Sequence, residues 1–217
     1  VMRASSFLEV TGMMPLEEGD KVVTEADATA TIHFFDDSVS RLAEKTKVQV
    51  KRLYTEPLRP VVTHVEMELE EGRVWTRVVN IADDSNFMID TPSVRAGVQK
   101  KAAFDLQASS GRTKVSVYDN VVKVTSKQNE KTSKAVIAGY EVAFSDDVQQ
   151  GVLEKIEDTE EVWVAVNLTS DETYKAELIE GAEDIVEMEG DTFLLSSTLS
   201  VPDEDVKKAR KQVDEAY

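Results

Sequence analysis

The two histidines are the first residues to weigh for chemistry. His33 and His64 both lie in stretches of alternating apolar residues, and the chain has no cysteine, so a zinc site would need carboxylates to complete it. No spacing in the sequence assembles such a set, and both histidines are read as ordinary strand residues. The acid pairs Asp36-Asp37, Asp83-Asp84 and Asp146-Asp147 fall among turn-forming residues. Oxygen-rich turns can hold calcium, but no stretch follows the D-x-D/N-x-D/N-G loop; turn chemistry is the preferred reading and calcium the lesser one. No G-x-S-x-G elbow presents a serine nucleophile, and no glycine-rich loop cradles a phosphate. A hydrolytic carboxylate pair distant in sequence stays open, although with 42 Asp and Glu the abundance of acids argues nothing by itself. Trp75 and Trp163 are read as core residues rather than sugar-stacking platforms, and Asn167-Leu168-Thr169 as a single chance sequon. The sequence therefore assigns no catalytic, cofactor-binding or metal-ligating residue, and the expectation is a protein that is not an enzyme.

The elements carrying these residues follow from periodicity. From Gly19 to about Phe144 apolar residues alternate, as in Ile32/Phe34, Val48/Val50, Val65/Met67/Leu69, Val74/Thr76/Val78, Phe87/Ile89, Phe104/Leu106, Val115/Val117 and Val122/Val124. Period two over short segments predicts half-buried strands. Turn signals separate them at Glu18-Gly19-Asp20, Asp36-Asp37-Ser38, Glu71-Gly72, Asp83 to Asn86, Ser109-Ser110-Gly111 and Asp119-Asn120. Leu53 to Thr63, with Pro57 and Pro60, is expected to be a loop rather than a strand. Ser5 to Val10 alternates enough for a strand, either this domain's first or one added to a neighbour's sheet edge. Further on, Val152, Leu153, Ile156, Val162, Trp163 and Val166 fall at helical intervals and predict helix. Ser200-Val201-Pro202-Asp203 then offers a cap, an early proline and a first-turn acid ahead of Val206, Ala209 and Val213, predicting a second helix. The expected fold is mainly β, a solenoid-like or sandwich-like all-β domain over 1–144, followed by an acidic, partly helical region over 145–217.

Charge divides the chain in the same place. The formal net charge is −17; residues 1–140 contribute −1 and residues 141–217 contribute −16. Association with a phosphate backbone is opposed, which removes nucleic acid as a partner. Within the neutral part, 41–59 and 95–134 are locally cationic, so the acidic tail has faces to meet, either in its own chain or in a neighbouring copy. A head-to-tail contact that does not close builds a filament. The longest apolar run, Val162 to Val166, is far short of the roughly 18 residues that cross a bilayer, so no membrane span is expected in this chain.

Several pieces of the first region fall in a known order. Gly12, Leu16, Gly19-Asp20, Val22, Thr24, Ala28, Ala30, Ile32, Phe34, Asp36-Asp37-Ser38 and Arg41-Leu42 are followed by Leu69, Gly72, Val74-Trp75 and Val78. Next come Phe87-Met88-Ile89-Asp90-Thr91-Pro92, Thr113 to Val124, and Ala138-Gly139-Tyr140. Over about residues 10–141 the chain resembles the FecR domain family. It departs from the family pattern at Asp37 and Asn120, which replace turn glycines with residues that tolerate left-handed backbone. It departs again at Gln99-Lys100-Lys101-Ala102, which replaces an Arg-Gly-Thr after the Thr-Pro element and is one residue longer.

The resemblance implies a compact all-β domain on the outer side of a membrane. Well-known relatives couple an outer-membrane transporter to a sigma factor, while others are envelope or secreted proteins. The opening Val1-Met2-Arg3 agrees with a chain cut from an export precursor, so the expected location is extracytoplasmic: secreted, cell-surface or periplasmic. The leading expectation for function is an exported, non-catalytic structural or interaction module of the cell surface, with a self-assembling filament subunit as its most specific form. The alternative is a FecR-type envelope sensor or regulatory module. Either works through a protein partner or self-association, with no cofactor.

Overall fold

The computed structural model describes residues 1–4, 6–10, 12–79, 81–129, 132–145, 151–157 and 161–183, with the side chains of Pro60 and of 175–183 outside that description. The chain divides into two compact units, Val1–Glu157 and Asp158–Tyr217.

The first unit is mainly β, as alternation requires. Among the described residues its strands are β1 (Met2–Arg3), β2 (Ser6–Phe7), β3 (Lys21–Val23), β4 (Ala30–His33), β5 (Val39–Leu42), β6 (Lys47–Glu56), β7 (Arg59–Val78) and β8 (Asn86–Asp90). They continue with β9 (Val94–Val98), β10 (Ala102–Ser109), β11 (Arg112–Asp119), β12 (Val121–Ser126), β13 (Ser133–Ile137), β14 (Tyr140–Phe144) and β15 (Leu153–Lys155). Pairing is antiparallel throughout except between β7 and β8, which run parallel. The second unit contains the helix α1 (Val162–Glu183).

β7 organises the first unit. Up to Glu71 it pairs with β6 and β8; from Gly72 it pairs with β5 and β10. One strand thus serves two halves of a sheet, β2-β1-β3-β6-β7-β8-β9-β12-β13 and β4-β5-β7-β10-β11-β14-β15. Their apolar faces share one buried cluster, with Val48, Val65, Met67, Leu69, Phe87 and Ile89 from the first half and Leu42, Val74, Phe104, Leu106, Val115 and Val142 from the second. This is a sandwich-like core. Phe34, just after β4, meets Phe87 of β8 edge to face with ring centres 5.3 Å apart.

The handover point on β7 is held by hydroxyls. Gly72 has φ +104°, and Thr46 packs where its side chain would be. The Thr46 hydroxyl accepts from the Arg73 amide at 3.1 Å, while the Thr46 amide donates to the Thr24 hydroxyl at 2.9 Å. The Thr24 hydroxyl in turn donates to the Ala43 carbonyl at 2.6 Å. Buried hydroxyls must be hydrogen-bonded to be tolerated, and these link β7 to the ends of β3, β5 and β6.

Two sequence expectations need correction. Leu53 to Thr63 is not a loop: β6 runs to Glu56, β7 begins at Arg59, and Pro57-Leu58 is the tight turn between them. Pro57 occupies a turn position that suits its fixed φ, and Pro60 lies where the register jumps from the Glu56↔Arg59 pair to the Thr55↔Thr63 pair, so its missing amide interrupts no ladder there. Leu153 is not helical either. It sits in β15, paired opposite Val142 of β14, because an open sheet edge offers backbone partners that a short helix would lack. The helix expected around Val162 and Val166 is present as α1. Ser5 lies outside the described residues, but β2 pairs with β1, and β1 with β3, so that stretch completes its own domain's sheet. Asp146-Asp147 and the helix expected after Ser200 lie outside the described residues.

Candidate functional site

Four segments of the first unit converge on one open groove of 520 Å³. The β4–β5 turn contributes Phe35, Asp36 and Asp37; the start of β7 contributes Val61 and Thr63; the segment after β7 contributes Val79, Ile81 and Ala82; the β9–β10 connection contributes Lys100 and Lys101. Both ends of β7 reach the groove because the strand turns at Gly72 from one sheet half to the other.

Local chemistry explains each wall. Phe34 is buried in the core, and the tight turn that follows leaves its neighbour Phe35 half exposed at 50%. Asp36 closes that turn, with Oδ1 accepting from the Ser38 amide at 3.1 Å, and Asp37 supplies the left-handed residue at φ 63°. The Val61 wall is braced by Arg59, which donates to Glu56 at 3.0 Å and to Asp84 at 2.7 Å, and by the Thr63 amide, which donates to the Ser85 hydroxyl at 3.0 Å. Lys100 and Lys101 are exposed and form no ion pair among the described residues.

Asp36 is the anomaly in this groove. It is 9% exposed, and its Oδ2 is buried without a hydrogen-bond partner. Burial pushes its carboxyl above the usual carboxylate range, against the opposing hydrogen bonds from Ser38. A raised carboxyl favours the protonated form in the folded state, so its cost is fully present above the folded pKa and disappears as pH falls toward the unfolded value. Asp36→Asn keeps the Ser38 contact and removes the buried charge. It is expected to stabilise the domain by about 1 kcal/mol at neutral pH, with the gain shrinking in acid; urea unfolding of both proteins at several pH values measures this. Equal stability at every pH would show that Oδ2 carries no such cost.

The residues singled out in the sequence do not converge. His64, on β7, stacks on Tyr54 of β6 with ring centres 4.7 Å apart, and its Nε2 lies 3.4 Å from Glu56 Oε1. His33 sits on β4, opposite Val39. Among the described residues no group of three or more His, Asp or Glu could hold a metal ion. Asp84 is a turn residue at φ 71° paired with Arg59. Trp75 is fully buried, its ring 4.8 Å from that of Tyr118, whereas Trp163 is half-buried on α1. Asn167 of the sequon is buried, and its amide nitrogen donates to the Trp163 carbonyl at 2.8 Å. Sequence reasoning did not identify the groove, although it had marked both Asp37 and Gln99-Lys100-Lys101-Ala102 as departures from a family pattern.

The cationic stretch 41–59 is answered within the sheet. Lys47 pairs with Glu71, Lys51 with Glu68 and Arg52 with Glu66 across β6 and β7, and Lys21 of β3 reaches Glu70. In the second cationic stretch, Arg95 and Lys127 both hold Asp90, and Lys114 holds Glu141. Burial opposes ionisation of Asp90, but Arg95 and Lys127 outweigh it and keep the carboxyl below its ordinary range.

Residues 20–123 match the family model described as FecR protein. That match coincides with the stretch whose sequence resembles a FecR domain. All the residues lining the groove fall inside that span. Two crystal structures of a candidate anti-sigma factor from Parabacteroides distasonis ATCC 8503 are similar to this chain in fold, with TM-scores of 0.53 and 0.51 at 15% identity. Each alignment covers 65% of this chain and 62% of that one, so the chain spans less than two thirds of that protein's length. At this identity the likeness concerns fold alone. Among curated proteins, none matches the chain.

Proposed function

We propose that the chain is a FecR-type sensory or regulatory module of the cell envelope, whose β unit receives a protein partner and carries out no chemistry of its own. The observation that supports this reading most is the FecR match over residues 20–123, seconded by a fold similar to that of a candidate anti-sigma factor. The electrostatics of the β3–β6–β7 face lend no support to a self-assembling subunit joined there. A filament joined by an acidic tail across the β3–β6–β7 face needs unspent cations there, and the row Lys21, Lys47, Lys51 and Arg52 is already occupied by Glu66, Glu68, Glu70 and Glu71. Exposed pairs are individually weak, about 0–1 kcal/mol, but together they leave a near-neutral sheet face with little to steer a second acidic copy. Among the described residues no helix is long and apolar enough to cross a membrane.

Deleting the coding region for 1–157 in the source organism tests the proposal. A regulatory module changes a defined set of transcripts, restored by complementation. Unchanged transcripts with loss of a surface fibre would overturn it in favour of the structural subunit. Light scattering of the purified chain should likewise show one mass across a wide concentration range.

A further inference from the structure

The groove between the β4–β5 turn and the β9–β10 connection has a chemistry that resemblance to the FecR family does not assign. We propose that it docks an extended acidic segment of a partner protein, with an apolar side chain seated on Phe35, Val61 and Ile81 and an adjacent carboxylate held by Lys100 and Lys101. This rests on the reading that the domain receives a protein.

Three observations converge on that occupant. The apolar wall is exposed where it should be costly: Phe35 is 50% and Val61 71% exposed, side by side on one depression. The two lysines on the same rim have no ion-pair partner among the described residues, unlike the cations of β3 and β6, and so are available to a carboxylate. On the β4–β5 side, the exposed Asp37 puts a negative charge on the rim away from the lysines. Opposite signs at the two sides fix the orientation, since a carboxylate placed beside Asp36 and Asp37 would be repelled. The volume of 520 Å³ suits a few side chains, and an extended segment presents an apolar group and a carboxylate within a few residues.

The test presents a random dodecapeptide phage library to the full chain and measures selected peptides by fluorescence anisotropy. Recovered peptides should place Asp or Glu beside Leu, Ile, Val or Phe. Their affinity should fall about tenfold or more for the double variant Lys100→Glu/Lys101→Glu. It should change less than about twofold for Lys123→Glu, which reverses an exposed charge on β12; circular dichroism should confirm that both variants fold. Peptides without acidic enrichment, or binding indifferent to the two lysines, would overturn the proposal. A concentration-dependent dimer abolished by the double variant would also overturn it, by making a second copy the occupant. The two readings fail separately: acidic peptides that bind in a strain with no transcript phenotype sink only the regulatory function, whereas a phenotype intact in the double variant sinks only the groove.

Discussion

Replacing Gly72 by alanine is expected to destabilise the β unit by about 3–5 kcal/mol, from backbone strain plus overpacking. A β carbon at this position would approach Thr46 Cα to 2.5 Å and Thr46 Cβ to 2.7 Å, and it would also overlap the Thr46 hydroxyl. The nearest atoms include backbone, so no rotamer change relieves the contact. The φ of +104° lies where L residues are rarely found, so the strain would persist even if Thr46 moved. Movement of Thr46 would in turn break its bonds to Thr24 and Arg73 at the point where β7 passes from one sheet half to the other. Domains of this size are stable by about 5–15 kcal/mol, so the variant should unfold at much lower urea or not accumulate. A loss below about 1 kcal/mol would show that the crossover is softer than its packing indicates. Gly19, also at positive φ but with open space around it, is the control: its alanine variant carries backbone strain alone and should lose less.

That contrast shows what the sequence could and could not disclose. Alternation exposed the strands because one face of each is buried, and the period of two survives whatever the partner. Pairing partners leave no such trace. Nothing local indicates that Leu69 and Val74, five residues apart on β7, serve different halves of the sheet. Hydroxyl residues such as Thr24 and Thr46 look like ordinary strand residues until their bonds to Ala43 and Arg73 are known. The charge of 41–59 misled for the same reason: a local excess of lysine and arginine was visible, whereas the glutamates answering it lie 14 to 24 residues further on, across a hairpin that the prolines disguised as a loop. The groove was legible only in fragments. Asp36-Asp37 and Lys100-Lys101 were each conspicuous, but more than sixty residues separate them, and it is the two-sheet arrangement of β7 that brings their turns together.

The second large effect is expected at Asp20, where Asp20→Ala should cost about 2–3 kcal/mol and release the chain that precedes β3. Asp20 is 1% exposed and accepts from Arg3 Nε at 2.8 Å, Arg3 Nη2 at 2.6 Å and the Glu17 amide at 2.8 Å. The same guanidinium also donates to Glu17 and to the Pro15 carbonyl, so one arginine ties β1 to the turn before β3. The ladder alone is thin there: β1 meets β3 through the single pair Met2↔Lys21. Arg3 is partly exposed and can regain water when Asp20 is removed, which keeps the cost below that of a fully buried pair. The Arg3 hydrogen bonds hold the Asp20 carboxyl below its ordinary range despite its burial. A lowered carboxyl contributes stability that is fully present above its unfolded pKa and is lost as pH falls through the folded one. Acid should therefore loosen residues 1–18 first, at pH below the ordinary carboxylate range, and hydrogen exchange of those amides should report it. In Asp20→Ala the same amides should exchange rapidly already at neutral pH, with no further change in acid, while β7 and β10 remain protected. Protection of residues 1–18 that is unaltered by the substitution would show that strand pairing, not the Arg3–Asp20 clasp, holds this segment in place.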